Sequence, residues 1–297
     1  MNKPIMIIGG GPGGISAAIQ LYRSGFKPLI IEAQQLGGLL VNAWRVENYP
    51  GFPKGISGFD LVQLFREQVS LYHPEIVYDH VLSIKKTLNG YNLTTKKGQS
   101  HTCKYLIIAT GTTPRQYSRV NGDESESLTK RLYYEVDPIR HLKGKEISII
   151  GGSDAAFDYA MTMSQANQVS IFMRASKSKA IKALSSVVRR SRQITIYPKI
   201  EIKDLEFKDD RISLIFKKGA SINNHKTDYM LFAIGRHPTM PHLINNMKIE
   251  GQKEKTLFFV GDVKNKHYRQ CSFAVADGIR AAMTIESDIR RDNDENS

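Results

Sequence analysis

Gly9, Gly11 and Gly14 stand at the spacing G-x-G-x-x-G, directly after an apolar run, Pro4–Ile8, and directly before a small-residue run, Ile15–Arg23. In such a turn the first glycine permits the tight bend and the second lets the backbone approach a pyrophosphate. The third lets helix and strand pack closely. The turn reads GGGPGG, so Pro12 and Gly13 belong to the same cradle. N–H groups at the helix N-terminus, aided by the helix dipole, suit a phosphate. Glu32 ends the next apolar run, 23 residues after Gly9. A carboxylate there accepts the hydroxyls of an adenosine ribose. A glycine triplet alone is a weak signal; the flanking strand, helix and acid make it specific.

A second turn repeats the pattern with a change. Ile147–Ile150 leads into GGSDAA, and Phe157–Met163 follows. The fingerprint is Gly151-x-Ser153-x-x-Ala156, with Asp154 and Ala155 inside it. A serine in the middle position either crowds a pyrophosphate or donates its hydroxyl to one, and the sequence leaves both open. Asp158, on the following helix, either faces a nicotinamide or is a solvated helix residue.

Elements of matching period must position these turns. Each turn sits in strand–turn–helix–strand, with second strands at Pro28–Ile31 and Gln168–Phe172, about 140 residues apart. Tyr91–Thr95, the turn KKGQ and Cys103–Ile108 predict a hairpin leading into a buried strand. A β-rich stretch covers Ile194–Ile234, and Leu257–Val260 predicts one more strand before a helix from Ser272. The polar tail Arg290–Ser297 is expected to be disordered. The pattern predicts an α/β fold of two Rossmann-like, three-layer ββα domains. The first, dinucleotide-binding, is discontinuous (residues 1–115 and 236–297), with a second dinucleotide-binding domain (116–235) inserted.

Bulk properties narrow the classes. The chain has 297 residues, 41% of them apolar, enough for two cores. No apolar run is long enough for a membrane helix, and the N-terminus lacks the pattern of a secretory signal, so a cytoplasmic protein without membrane partners is expected. The two cysteines, Cys103 and Cys271, form no CxxC, and no metal site is expected. Net charge is +13, concentrated between Arg174 and Lys218, where thirteen Lys/Arg face five Asp/Glu. No nucleic-acid module is recognisable, which leaves an anionic ligand or an acidic protein as the use of that charge.

Further segments favour FAD over NAD in the first site: Ala109-Thr110-Gly111 after one buried strand and Gly261-Asp262 after another. Together with VENYPGFPKGISG (46–58), IIATGTTPR (107–115), AIGRHP (233–238) and FVGDVKN…YRQCSFAVADG (259–278), they resemble the low-molecular-weight thioredoxin reductases over nearly the whole chain. The resemblance implies that Asp262 meets the flavin ribityl hydroxyls. It implies that Asn48, Arg269, Gln270 and Cys271 line the isoalloxazine and that Val81 contacts the adenine by its backbone. Gly38 and Leu39 are counted in the same site. Asn48 could instead hold a turn before Pro50, Arg269 could be a solvated charge, and Cys271 a small buried side chain. The family's HRRxxxR run, which grips the 2′-phosphate of NADPH, survives here as Arg174 and Lys179, with Ala175 where an arginine would stand. Two cations and no acid still favour NADPH over NADH.

The resemblance breaks at one place. Thioredoxin reductases carry CxxC before the second fingerprint; here the residues are Tyr134-Glu135-Val136-Asp137. The run LYYEVDPIRHLKGKEISIIGGSDAAFDYA (132–160) looks instead like thioredoxin-reductase-type ferredoxin–NADP reductases, which share the fold and lack the dithiol. The expectation is an oxidoreductase passing electrons between NADPH and an acidic redox protein such as ferredoxin or flavodoxin, as a homodimer. No side chain is assigned as catalytic acid, base or nucleophile. The alternatives are an accessory flavoprotein serving one iron–sulfur biosynthetic enzyme, as in lipoate assembly, and a non-catalytic FAD-binding scaffold.

Overall fold

The structure is a computed structural model that describes residues 5–117, 126–244, 255–265 and 268–294. Its described α-helices are α1 (Pro12–Arg23), α2 (Gly58–Ser70), the one-turn α3 (Glu126–Thr129), α4 (Asp154–Met163), α5 (Lys182–Arg190) and α6 (Cys271–Asp294). The chain forms two compact units. One takes in residues up to Val41, Glu47–Thr113 and the chain from His237 onward; the other takes in Asn42–Val46 and Pro114–Arg236.

The first unit is built on five parallel strands in the spatial order Leu257–Phe259, Tyr105–Ile108, Ile5–Ile8, Leu29–Glu32, Glu75–Tyr78. The central strands are buried at every position and apolar at all but Glu32, the last residue of its strand, because both faces are covered. Ile5, Ile7, Ile30 and Ile107 point to one side, where they meet Ile15, Ala18 and Leu21 of α1 and Ala282 and Ile285 of α6. Met6, Ile8, Leu29, Ile31, Leu106 and Ile108 point to the other, against Ile84, Leu93 and Cys103 of a four-stranded sheet. The period of two along each strand thus creates three layers.

The second unit repeats the plan with five parallel strands: Ile194–Tyr197, Gln168–Phe172, Glu146–Ile150, Tyr229–Phe232, Leu132–Tyr133. Ile147, Ile149 and Ile171 pack on Ala156, Phe157 and Ala160 of α4 and Val188 of α5. Ile150, Phe172, Met230 and Phe232 pack on Leu205, Leu214 and Phe216 of an antiparallel three-stranded sheet, 200–227. The expected class, α/β with two Rossmann-like three-layer ββα halves, is the fold observed.

Two expectations need correction. Cys103–Ile108 is not one strand. Ser100–Cys103 closes the antiparallel sheet, Lys104 is the corner, and Tyr105–Ile108 enters the parallel sheet. Apolar character runs on across Lys104, so periodicity could not mark the change of sheet. The polar tail is also helical as far as Asp294. Arg290 pairs with Glu286 at 2.6 Å, one turn back, and Lys104 pairs with Asp292 at 2.6 Å. Pro4 and residues 295–297 lie outside the described residues.

Candidate functional site

In the first unit the fingerprint turn is held from three sides. Gly9 has φ +99°, which an L side chain rarely adopts, and a Cβ there would strike the Ala109 carbonyl. Its N–H donates to Ile31 O at 2.8 Å. A Cβ at Gly14 would collide with Gly9 O, so only glycine lets α1 start so close to the strand. The space beside Gly11, by contrast, is open, as backbone access to a pyrophosphate requires. Glu32 is buried; its Oε2 accepts the Gly10 N–H at 2.5 Å and its Oε1 the Gln34 N–H at 2.8 Å. The same carboxylate therefore fixes the turn and retains lone pairs for ribose hydroxyls. Gly37 N–H donates to Gly10 O at 2.7 Å, and a Cβ at Gly38 would stand 3.1 Å from Gly11 Cα, so Gly38 and Leu39 border the turn.

The remaining first-site residues fall into three groups. Val81 begins the strand Val81–Thr87; two residues earlier, Asp79 N–H donates to Glu32 O at 3.0 Å. Ala109, Thr110 and Gly111 follow the buried strand, and Thr110 Oγ1 donates to Thr239 O at 2.5 Å. Gly261 and Asp262 form a short 3₁₀ turn whose Gly261 N–H donates to Asp277 Oδ2 at 3.2 Å. Burial alone would raise the Asp277 carboxyl, but hydrogen bonds from Asn265, Lys264 and Gly261 outweigh it and hold the group below its usual range.

Asn48 Nδ2 donates to Gln270 Oε1 at 2.8 Å, joining two residues 222 apart in sequence. Arg269 is half-buried, and its Nε is buried with no hydrogen-bond partner among the described residues. An orphaned guanidinium N–H beside this turn suits a ligand acceptor. Burial pushes the Cys271 thiol up to about 12, with a contribution from the Asp262 carboxylate, so it is a neutral thiol at physiological pH. This chain's residues therefore fit FAD.

Gly278 and Asp277 carry structural weight that sequence reasoning did not assign, although ADG was part of the resemblance. A Cβ at Gly278 would collide with Gly13 O and Ser16 Oγ, so α6 crosses α1 at this glycine. Ser16 Oγ completes the crossing by donating to Val275 O at 3.1 Å.

The second unit keeps the turn but relaxes it. Gly151 has φ +154°, and a Cβ there would lie 2.5 Å from Ala233 O. Ser153 caps α4 with extended backbone, makes no side-chain capping hydrogen bond and is exposed, so its hydroxyl is available to a phosphate. Ala155 is exposed beside it. Asp154 Oδ1 accepts the Ile181 N–H at 2.8 Å, and Lys179 N–H donates to Gly152 O at 2.7 Å. These two bonds fold the segment from Arg174 to Ile181 back over the turn, with Arg174 and Lys179 exposed. Two exposed cations beside a helix N-terminus fit the phosphates of NADPH.

Asp158 is not a solvated helix residue. Its Oδ2 accepts the Trp44 N–H at 2.8 Å, and burial pushes its carboxyl up to about 6. The segment Tyr134–Asp137 is a packed polar knot. Glu135 Oε2 accepts from Asn42 Nδ2 and from the Tyr159 hydroxyl, each at 2.9 Å, and its Oε1 pairs with Arg236. Burial raises the Tyr159 hydroxyl well above its usual range, and the Glu135 carboxylate adds to this. Asp137 N–H donates to Asn42 Oδ1 at 3.0 Å, Tyr134 stacks on Phe232 at 5.4 Å, and Val136 is fully buried. Asn42, Tyr159 and Arg236 were missed because no local pattern links positions so far apart.

A doubly repeated strand–turn–helix with ββα layering defines a two-dinucleotide α/β oxidoreductase. The chain belongs to the pyridine nucleotide-disulphide oxidoreductase family, whose model matches residues 3–278. It is 27% identical over 97% of its length to NADPH-dependent thioredoxin reductase 3 of Arabidopsis thaliana, of which it spans 59%. It is 27% identical to the thioredoxin reductase of Streptomyces coelicolor, covering 99% of this chain and 96% of that protein. Among solved structures, Lactococcus lactis thioredoxin reductase superposes with a TM-score of 0.85 at 26% identity, covering 96% of this chain and 98% of that one. The family uses FAD and NADPH, and the chain is a flavoprotein oxidoreductase of thioredoxin-reductase-like type. No helix among the described residues is long and apolar enough to cross a membrane.

Proposed function

We propose that this protein passes electrons from NADPH to an acidic one-electron redox protein of ferredoxin or flavodoxin type, without disulfide chemistry. The balance is NADPH plus two oxidised acceptors giving NADP⁺, one proton and two reduced acceptors. FAD, when bound, supplies the conversion of a hydride into single electrons. The chain's own residues bind and orient: Gly9, Gly11, Pro12, Gly13, Gly14, Glu32, Gly38, Leu39 and Val81 for the adenylate and pyrophosphate, Ala109–Gly111 and Gly261–Asp262 for the ribityl chain. Asn48, Arg269, Gln270 and Cys271 would border the isoalloxazine, with Arg269 placing positive charge near it. Gly151, Ser153, Asp154, Ala155, Arg174 and Lys179 would hold NADPH. In this reading residues 1–115 and 236–297 are the FAD domain, residues 116–235 the NADPH domain, and the working form a homodimer in the cytoplasm.

One observation carries the absence of disulfide chemistry. Where the resemblance implies a cysteine pair, Glu135 instead ties Asn42, Tyr159 and Arg236 together. Burial pushes both of the chain's thiols up to about 12, which disfavours the thiolate that disulfide exchange needs. The test is anaerobic stopped-flow of the yellow protein with NADPH and NADH, followed by mixing with ferredoxin, flavodoxin or oxidised thioredoxin. Flavin bleaching faster with NADPH, then transfer to ferredoxin or flavodoxin but not thioredoxin, is expected. NADPH-dependent turnover of thioredoxin would overturn the reading.

A further inference from the structure

From Arg174 to Arg192 the chain carries Arg174, Lys177, Lys179, Lys182, Arg189, Arg190 and Arg192, and no Asp or Glu. None of the seven has an ion-pair partner among the described residues. Four arginines elsewhere in the same unit are, by contrast, held by carboxylates: Arg131 by Asp210, Arg140 by Asp137, Arg211 by Glu146 and Asp228, Arg236 by Glu135. A patch of uncompensated like charge costs self-repulsion, which an anionic partner relieves. A 2′-phosphate would use Arg174 and Lys179 and leave five cations over.

Those five surround α5. Lys182 and Arg189 are seven residues apart, two turns along one face, with Arg190 beside them. Lys177 enters the patch from the preceding loop, which the Lys179–Gly152 and Ile181–Asp154 hydrogen bonds fix in place, and Arg192 leaves it. Ile181 and Val187 lie exposed among them, 59% and 40% accessible. Exposed apolar side chains at the edges of a basic helix face offer a protein partner contact as well as charge. A membrane surface fits less well. The inward residues Val188, fully buried, and Leu184 are already packed in the core of the unit, leaving only Ile181 and Val187, too little for an apolar face that enters lipid.

The geometry points to the outer face of α5, centred on Lys182, Arg189 and Arg190, as the docking surface for a small acidic protein. It rests on the electron-transfer reading above and names where that reading's partner binds. Charge steers the encounter, and Ile181 and Val187 supply the contact that outlasts it.

The test compares wild type with K182E/R189E/R190E, using an acidic [2Fe–2S] ferredoxin as probe. The measurements are flavin bleaching by NADPH, steady-state ferredoxin reduction, and calorimetric binding of ferredoxin across a salt series. The expected result is unchanged bleaching, a ferredoxin KM raised about tenfold at low ionic strength, and a flattened salt dependence. The variant K182R/R189K/R190K should behave as wild type. Ferredoxin reduction that is normal in the charge-reversed protein would overturn the docking surface and leave the electron-transfer reading intact. Salt-dependent ferredoxin binding that the reversal abolishes, in a wild type that never reduces ferredoxin, would sustain the surface and overturn that reading. A wild type that does not bind ferredoxin at all would overturn the surface. So would a reversal that abolishes binding to phosphatidylserine vesicles or duplex DNA while ferredoxin KM holds.

Discussion

The two fingerprint turns have the same order of elements and very different tolerance for change. In the first, Gly9, Gly10, Gly13, Gly14 and Gly38 each face another part of the chain within contact of a would-be Cβ. In the second, Gly151 faces backbone within such contact, while Ser153, Asp154 and Ala155 are exposed. Where a would-be Cβ meets the chain's own backbone, as at Gly9, Gly14 and Gly151, only glycine fits; Gly11 and Ser153, in the matching middle position, both face outward, and there the residue is free to differ. A turn that faces outward can trade glycine for serine and arginine for alanine while keeping its shape. The difference is one of packing, not of fold.

The largest effect is expected at Gly14→Ala. Its Cβ would overlap Gly9 O, a backbone atom that itself cannot retreat because Gly9 is seated on Ala109. Overpacking of this kind costs about 3 kcal/mol. Urea denaturation and the flavin content of the purified protein should both show the loss; a protein with normal flavin content and midpoint would mean that the turn is less tightly sealed than its contacts indicate.

Next comes Asp158→Asn in the second unit. The folded carboxyl titrates at about 6, above its unfolded value of 3.8, because burial disfavours the charge. The folded state then holds its proton more strongly than the unfolded one. The group's contribution is fully present below pH 3.8 and is lost as pH rises to about 6, leaving a buried charge at neutral pH. The amide keeps an oxygen for the Trp44 N–H and removes the charge. Stability at pH 7.5 should rise by about 2 kcal/mol, and the dependence between pH 4 and 6 should flatten. Thermal melts across that range check both; a destabilised variant at pH 7.5 would show that the carboxylate is needed as a charge.

Local structure was legible because it is local. Both strand–turn–helix units follow from apolar runs that change to small-residue helices at glycine, and the three layers follow from strands apolar on both faces. What escaped depends on partners far along the chain. Gly278 is fixed by Gly13, 265 residues away, and the last helical turns by the reach of Lys104 to Asp292. The Glu135 knot joins positions 42, 135, 159 and 236, none of which resembles a site alone. Asn48 and Gln270 were named only through family resemblance; their hydrogen bond supplies the physical link that spacing could not.

On the open side of the comparison, Ala175→Arg places a guanidinium in the segment that folds over the second turn, where residue 175 is exposed and free to accept it. A bidentate phosphate contact should tighten NADPH about tenfold, about 1.4 kcal/mol, and leave NADH unchanged because NADH has no 2′-phosphate. Titration of both nucleotides against flavin fluorescence checks it. Equal tightening of the two would mean that the segment meets the pyrophosphate instead.

Ser153→Gly gives the smallest effect and decides the point that the sequence left open. The serine makes no capping bond, so replacing it should change stability by only a few tenths of a kcal/mol, about the cost of glycine at a helix cap. Its hydroxyl is exposed at the N-terminus of α4, where a pyrophosphate would sit, and is free to donate. Removing one such hydrogen bond should weaken NADPH and NADH alike, by roughly fivefold, about 1 kcal/mol. The equality matters: the pyrophosphate is common to both nucleotides, so a Ser153 effect that favoured one of them would place the serine near the 2′-phosphate. Tighter binding in Ser153→Gly would mean that the side chain crowds the phosphates and that the outward-facing turn carries a steric cost the inward-facing one avoids.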